Sequence, residues 1–360
     1  MYQVMRWMVT LTTACTVAST GFGGEKESSR PVFDQQGTVH VPAFELPPSG
    51  LMSPEAREFQ KLRAKMPHER PAMEPDIAKS RKGLEARLAP QVAIMLDSYP
   101  VDVAEETLGG VPVRVVTPRS GDFDADRVLI NLHGGAFSVC WESCSLLESA
   151  PIAVLGGYKV VSVNYRMAPE ASHPAAVEDV AAVYGELLKG REASRIGIYG
   201  CSAGGALTAQ TASWLNHHDL PQPGSIGIFG AGATRMRSGD SAYVAAYIDG
   251  SFPPPSKPGE KELDLTRGYF TGADMLDPII SPAHHLDVLE TFPPTLIITG
   301  TRAMDMSPAV YTNSQLIKAG VPSTLIVAEG MSHCYLYMPH LPESRDAYAA
   351  IIDFFGRNLR

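Results

Sequence analysis

Hydrophobic positions in the first hundred residues fall at helical spacing. Ser53-Pro54 supplies an N-cap followed by a residue suited to the first helical position. A second helix is predicted after Asp76, where Ile77, Leu84, Leu88, Val92 and Met95 make one apolar stripe. From about residue 101 the pattern changes to short apolar runs. Residues 111–116 read as a strand, with 101–107 as its partner across a Gly109-Gly110 turn. Further strands are predicted over 128–132, 160–165, 195–199, 226–229, 296–299 and 324–327. Continuous apolar runs of this kind suit strands buried on both faces. Helical stripes lie between them. Val177, Val180, Tyr184, Leu187 and Leu188 make one, and Tyr348, Ile351, Ile352, Phe355 and Leu359 make the last. The alternation predicts an α/β class protein, with a mostly parallel eight-stranded sheet and helices on both faces. Residues 235–290 interrupt it with Pro253-Pro254-Pro255 and Asp-rich stretches. They read as an insertion that joins the N-terminal helices in forming a lid.

Composition narrows the partners. The chain has 360 residues, 44% of them hydrophobic and 19% charged, which excludes a disordered polymer or a small disulfide-stapled scaffold. A formal net charge of −9 with no basic block disfavours nucleic acid and anionic membrane surfaces. Residues 1–24 read as an export signal: Arg6 precedes an uncharged apolar stretch and a run of small residues. That implies a secreted or periplasmic protein, with a cytoplasmic one as the alternative. The stretch is too short to span a bilayer, so no stable membrane insertion is expected. Residues 25–100 then form an arm and cap helices, and 101–360 the main domain with the insertion at about 235–290. Cys140, Cys144, Cys201 and Cys334 form no C-x-x-C pair. The spacing of Cys140 and Cys144 is about one helical turn and awkward for a bridge, so all four are expected as reduced, packed thiols. His217-His218 and His284-His285 lack a metal-binding partner motif and read as surface or loop histidines. No metal is expected.

Chemistry concentrates at turns that follow predicted strands. Gly200-Cys201-Ser202-Ala203-Gly204-Gly205 is G-x-S-x-G between a strand and a helix. The glycines permit a sharp turn that projects Ser202, and the helix start aims N–H groups at the same point. His133-Gly134-Gly135 follows another strand. The amides of Gly134, Gly135 and Ala203 are the candidate oxyanion donors, and His133 braces the loop. A serine hydroxyl needs a base, and His333 directly follows the last predicted strand. The acid belongs after the penultimate strand, where Asp305 is the only carboxylate; Glu329 and Asp240 are weaker alternatives.

The motifs H-G-G-A-F at 133–137, Asn164-Tyr165-Arg166-Met167-Ala168-Pro169-Glu170 and G-C-S-A-G-G at 200–205 together resemble the hormone-sensitive-lipase-like α/β-hydrolases, the bacterial family IV esterases. The resemblance spans roughly residues 100–360, and the N-terminal helices are similar to that family's cap. It implies an α/β-hydrolase fold and a serine carboxylesterase for short- to medium-chain acyl esters, with a small-molecule ester as partner and no cofactor. Arg166 and Glu170 would tie the scaffold together. The chain departs from the pattern twice. Cys201 stands where the family has Asp or Thr, and the family's acid position falls on Ala303, two residues before Asp305. Two readings stay open beside simple ester cleavage: deacetylation of sugars or antibiotics, and a non-catalytic small-molecule binder on the same scaffold. Met52, Met95, Tyr243 and Phe252 are available for an acyl pocket, and the last strand and helix for a homodimer edge.

Overall fold

The computed structural model describes residues 30–63, 65, 74–250, 252–257, 260 and 263–360, so the export signal expected at 1–24 lies outside the described residues. The chain divides into two units, Met1–Pro47 and Pro48–Arg360. In the first, β1 (Val32–Phe33) pairs antiparallel with β2 (Val39–His40). The Asp34 carboxylate holds their turn by accepting the N–H groups of Gln36 and Thr38.

The second unit is built on one sheet of β3 (Val101–Leu108), β4 (Val111–Pro118), β5 (Asp124–Leu132), β6 (Tyr158–Val163), β7 (Ile196–Cys201), β8 (Ser225–Phe229), β9 (Thr295–Gly300) and β10 (Ser323–Ala328). Their spatial order is β10-β9-β8-β7-β5-β6-β4-β3. Pairing is antiparallel for β3 with β4 and for β4 with β6, and parallel elsewhere. All eight predicted strands are present. The central ones are the most apolar because helices cover both faces. Val128, Ile130 and Leu132 of β5 share one core with α4 (Ala175–Leu188), α5 (Ala203–His217) and α8 (Met306–Lys318). Leu129 points the other way, into a core shared with α3 (Trp141–Gly156) and α9 (Pro342–Asn358).

The helices preceding the sheet begin where their caps predict. Ser53 Oγ accepts the Ala56 N–H at the head of α1 (Pro54–Arg63), while Glu343 of α9 accepts both the Ser53 N–H and its hydroxyl. Asp76 caps α2 (Ile77–Ser98) through the N–H groups of Ala78 and Lys79. Only Met95 of the predicted α2 stripe is fully buried, because α2 is an outer layer lying on α3. Arg81 of α2 pairs with Glu170 at 2.7 Å and donates to the carbonyls of Ser138 and Ala168. Arg166 pairs with Asp179 and Glu178. Both Arg166 and Glu170 thus tie scaffold elements together. The stretch between β8 and β9 holds α6 (Asp240–Ile248) and the short α7 (Leu286–Leu289).

The expectation of free thiols is corrected. Cys140 is bridged to Cys144, and Cys201 to Cys334. Cys140 is not on the helix: it precedes α3 in a left-handed conformation, φ 80°, which brings the two Cα atoms to 5.3 Å. Cys201 and Cys334 are 133 positions apart in sequence, and the parallel sheet brings their Cα atoms to 6.3 Å.

Candidate active site

Parallel strands deliver their following loops to one edge of the sheet, and ligand sites gather there. The loops after β5, β7, β9 and β10 carry His133-Gly134-Gly135, Ser202, Asp305 and His333. Ser202 joins β7 to α5 at φ 60° and ψ −122°, a strained conformation for a residue with a side chain. Its N–H donates to the Phe229 carbonyl, which pins the turn to β8. Gly204 is indispensable to it, since a Cβ there would lie 1.7 Å from the Leu132 carbonyl oxygen.

His333 Nδ1 lies 2.6 Å from Asp305 Oδ1, and its Nε2 lies 2.9 Å from Ser202 Oγ. A carboxylate on Nδ1 keeps the proton there and leaves Nε2 to accept from the serine hydroxyl. Asp305 is fully buried, and its second oxygen accepts the Thr299 hydroxyl at 2.6 Å. The two-residue displacement from Ala303 is taken up by turns. The Ala303 N–H donates to the Gly300 carbonyl and the Met306 N–H to the Ala303 carbonyl, which places Asp305 at the head of α8. Among the described residues neither Glu329 nor Asp240 bonds His333; Asp240 begins α6 and is exposed.

The glycine loop differs from expectation at one position. The Gly134 N–H donates to Glu148 Oε1 at 2.9 Å, so that donor is already engaged. Gly135 and Ala203 differ: among the described residues neither N–H has a protein acceptor, and Ala203 stands at the positive end of α5. Gly135 has φ 115°, where a side chain is strained. His133 is a brace, as expected. It is fully buried, stacks on Tyr165 with ring centroids 4.3 Å apart, and bonds the Gly134 carbonyl. Burial pushes its imidazole down to about 4, so it is neutral.

The motif reading missed Glu148. This α3 side chain also accepts from Asn131 Nδ2, the Cys201 N–H and the Tyr337 hydroxyl. Burial pushes its carboxyl up to about 7, against the pull of those four donors. The available signal was a lone carboxylate among small and apolar residues over 143–153.

A cavity of about 330 Å³ opens beside Ser202, lined by Phe137, Met236, Phe252, Leu263, Phe270 and Met275 among others. Phe252 also meets the His333 ring edge-on at 5.1 Å. Of the residues offered for an acyl pocket, only Phe252 lines it. Met52 and Met95 lie in the core beside α3 and α9, and Tyr243 is exposed.

Known proteins share this fold. Residues 129–337 match the family described as alpha/beta hydrolase fold. An acetyl-hydrolase of Streptomyces hygroscopicus is 30% identical over 262 residues, covering 71% of this chain and 81% of the relative. The solved esterase E25 superposes with a TM-score of 0.77 at 29% identity, covering 89% of this chain and 99% of that one. An esterase from the bacterial hormone-sensitive lipase family superposes with a TM-score of 0.72 at 26% identity, covering 86% and 99%. The chain belongs to the α/β-hydrolase fold family, within its hormone-sensitive-lipase-like group. It is a hydrolase of carboxylic esters.

Proposed function

We propose that the protein is a serine carboxylesterase that cleaves short- to medium-chain acyl esters through an acyl-enzyme intermediate. The observation that carries this reading is the continuous array from Asp305 through His333 to Ser202, at 2.6 and 2.9 Å, beside an apolar cavity. Ser202 Oγ attacks the ester carbonyl while His333 Nε2 takes its proton, and Asp305 stabilises the imidazolium. The N–H groups of Gly135 and Ala203 receive the oxyanion. His333 then protonates the departing alkoxide, and later activates the water that releases the acid. A cavity of about 330 Å³ is at the small end of ligand sites, which favours short and medium acyl groups. The insertion supplies Leu263, Phe270 and Met275 to that cavity and so serves as the lid, while the N-terminal helices brace the loops beneath it.

A fluorophosphonate probe should label the wild type and fail to label Ser202→Ala, which should also lose hydrolysis of p-nitrophenyl butyrate. Turnover by that variant would remove Ser202 from the mechanism. Labelling also separates this reading from a non-catalytic binder. The acetyl-hydrolase relative favours acetyl groups as a second substrate class. Rates on p-nitrophenyl esters of increasing length, set against acetylated sugars, decide between the two. Export is supported by two disulfides, which persist in oxidising compartments. Activity confined to the cytoplasmic fraction would refute it. No described helix is long and apolar enough to cross a membrane. A homodimer through the β10 edge and α9 is testable by sedimentation.

A further inference from the structure

Glu148 is a buried carboxylate that the proposed reaction does not use, yet it is bonded to three of the four loops that carry the site, those after β5, β7 and β10. Its Oε1 accepts the Gly134 N–H at 2.9 Å and the Tyr337 hydroxyl at 2.6 Å. Its Oε2 accepts Asn131 Nδ2 at 2.9 Å and the Cys201 N–H at 3.1 Å. Gly134 belongs to the glycine loop, Cys201 precedes Ser202, and Tyr337 lies four residues after His333. Its own backbone carbonyl accepts the Tyr199 hydroxyl, which fixes this turn of α3 to β7. We infer that Glu148 is a positioning residue whose carboxylate sets the spacing between the oxyanion loop and the nucleophile turn.

The chemistry requires an acceptor at both oxygens. A carboxylate offers about four lone-pair sites, and here four donors fill them. An amide of the same shape would replace one oxygen by an NH₂ donor. On the Oε1 side that donor faces the Gly134 N–H, and on the Oε2 side the Cys201 N–H. Neither peptide group can rotate. Turning Asn131 over does not relieve the second case, because the Cys201 N–H still faces the new donor. A glutamine therefore pushes away either the oxyanion loop or the nucleophile turn. Engaging the Gly134 N–H in this way also leaves Gly135 as the glycine-loop donor that faces no protein acceptor.

This inference rests on the esterase reading, and its test is separable from it. Glu148→Gln should lower kcat about 10²-fold, the cost of misplacing an oxyanion donor. KM should stay within about threefold, since ground-state binding in the apolar cavity is untouched. Affinity for an alkyl boronic acid, which forms a tetrahedral adduct on Ser202, should fall in parallel with kcat. A merely structural role would move melting temperature and KM without that parallel. Glu148→Gln with wild-type kcat and boronate affinity overturns the inference while leaving the esterase reading intact. The esterase reading falls only if Ser202→Ala stays active. Tyr337→Phe keeps the ring and removes one donor to Oε1, and should lower kcat about threefold to tenfold at unchanged KM. An unchanged kcat in Tyr337→Phe overturns the inference even where Glu148→Gln does not fold.

Discussion

Replacing Cys201 and Cys334 together by alanine isolates the covalent tie between the two loops that meet at the site. Each cysteine directly adjoins a residue of the proposed mechanism, Ser202 or His333, and both are buried. The bridge spans 133 positions of sequence, so on the chain-entropy account its loss frees about 5 kcal/mol of unfolded-state entropy. The unit Pro48–Arg360 carries an unfolding entropy of about 0.65 kcal/mol/K at ~2 cal/mol/K per residue. The double variant should therefore melt about 8 °C lower than the wild type. The Cys140–Cys144 bridge, only 4 positions apart, is worth about 2 kcal/mol on the same account, or about 3 °C. Thermal unfolding followed by circular dichroism, with both double variants beside the wild type, reads the two shifts. Equal shifts, or a larger one for the short bridge, would refute the reasoning, because loop length is its only variable.

Other expected outcomes follow from single contacts. Asp305→Asn should lower kcat about 10³–10⁴-fold with the fold intact, because the amide no longer holds the imidazole tautomer; a small effect on steady-state kinetics would return the acid role to another carboxylate. Gly204→Ala places a methyl against the Leu132 carbonyl and should destabilise by about 3 kcal/mol, seen as a lower urea midpoint. Glu148 makes stability depend on pH. Its folded-state carboxyl is raised from 4.5 to about 7, so between those values the native state binds more protons than the unfolded one, and stability falls as pH rises through the window by about 3 kcal/mol. The titratable groups facing it, Tyr165, Tyr199 and Tyr337, are held protonated by burial and add no slope there. His133, lowered to about 4, works the other way below 6.5 in both proteins, so melting reads the loss as a difference: between pH 5 and pH 8 the wild type should lose about 2.5 kcal/mol relative to Glu148→Gln.

The sheet was legible because its central strands are buried on both faces and must be runs of Val, Ile and Leu. Helix α3 was not, for the same physical reason turned round. Ser143, Cys144, Leu147, Ala150 and Ala153 are buried, as are all the residues between them except the half-buried Leu146, so this stretch has no polar face and hence no stripe to read. The stripe on α2 was legible although only Met95 is fully covered, since a half-covered helix still needs one apolar side. Ser202, His333 and Asp305 were found from motif order and from loops that follow strands. The displacement of Asp305 from Ala303 was visible, but the turns that absorb it were not, being made of backbone bonds at Gly300 and Ala303.

What the pattern could not carry were contacts that join distant residues through side chains of ordinary type. Gly134 read as an oxyanion donor because a glycine after a strand exposes its N–H, and nothing local says that a carboxylate fourteen residues on will take that hydrogen. Cys201 and Cys334 read as packed thiols because sequence separation conceals how close the sheet brings them. The two errors share a cause. Glu148 accepts from the residue before Ser202, and the disulfide ties that same residue to the loop of His333. Position 201, where the family carries Asp or Thr, is thus held from one side by a carboxylate and from the other by a covalent bond. A buried carboxyl raised to about 7 costs the fold about 3 kcal/mol above that pH, a cost that an apolar residue in α3 would avoid. Retaining it makes physical sense only if the four donors need a fixed acceptor more than the core needs another hydrocarbon. Activity and stability should therefore respond to pH in opposite directions at this one side chain: the carboxylate that orders the loops is also the form that the fold tolerates least.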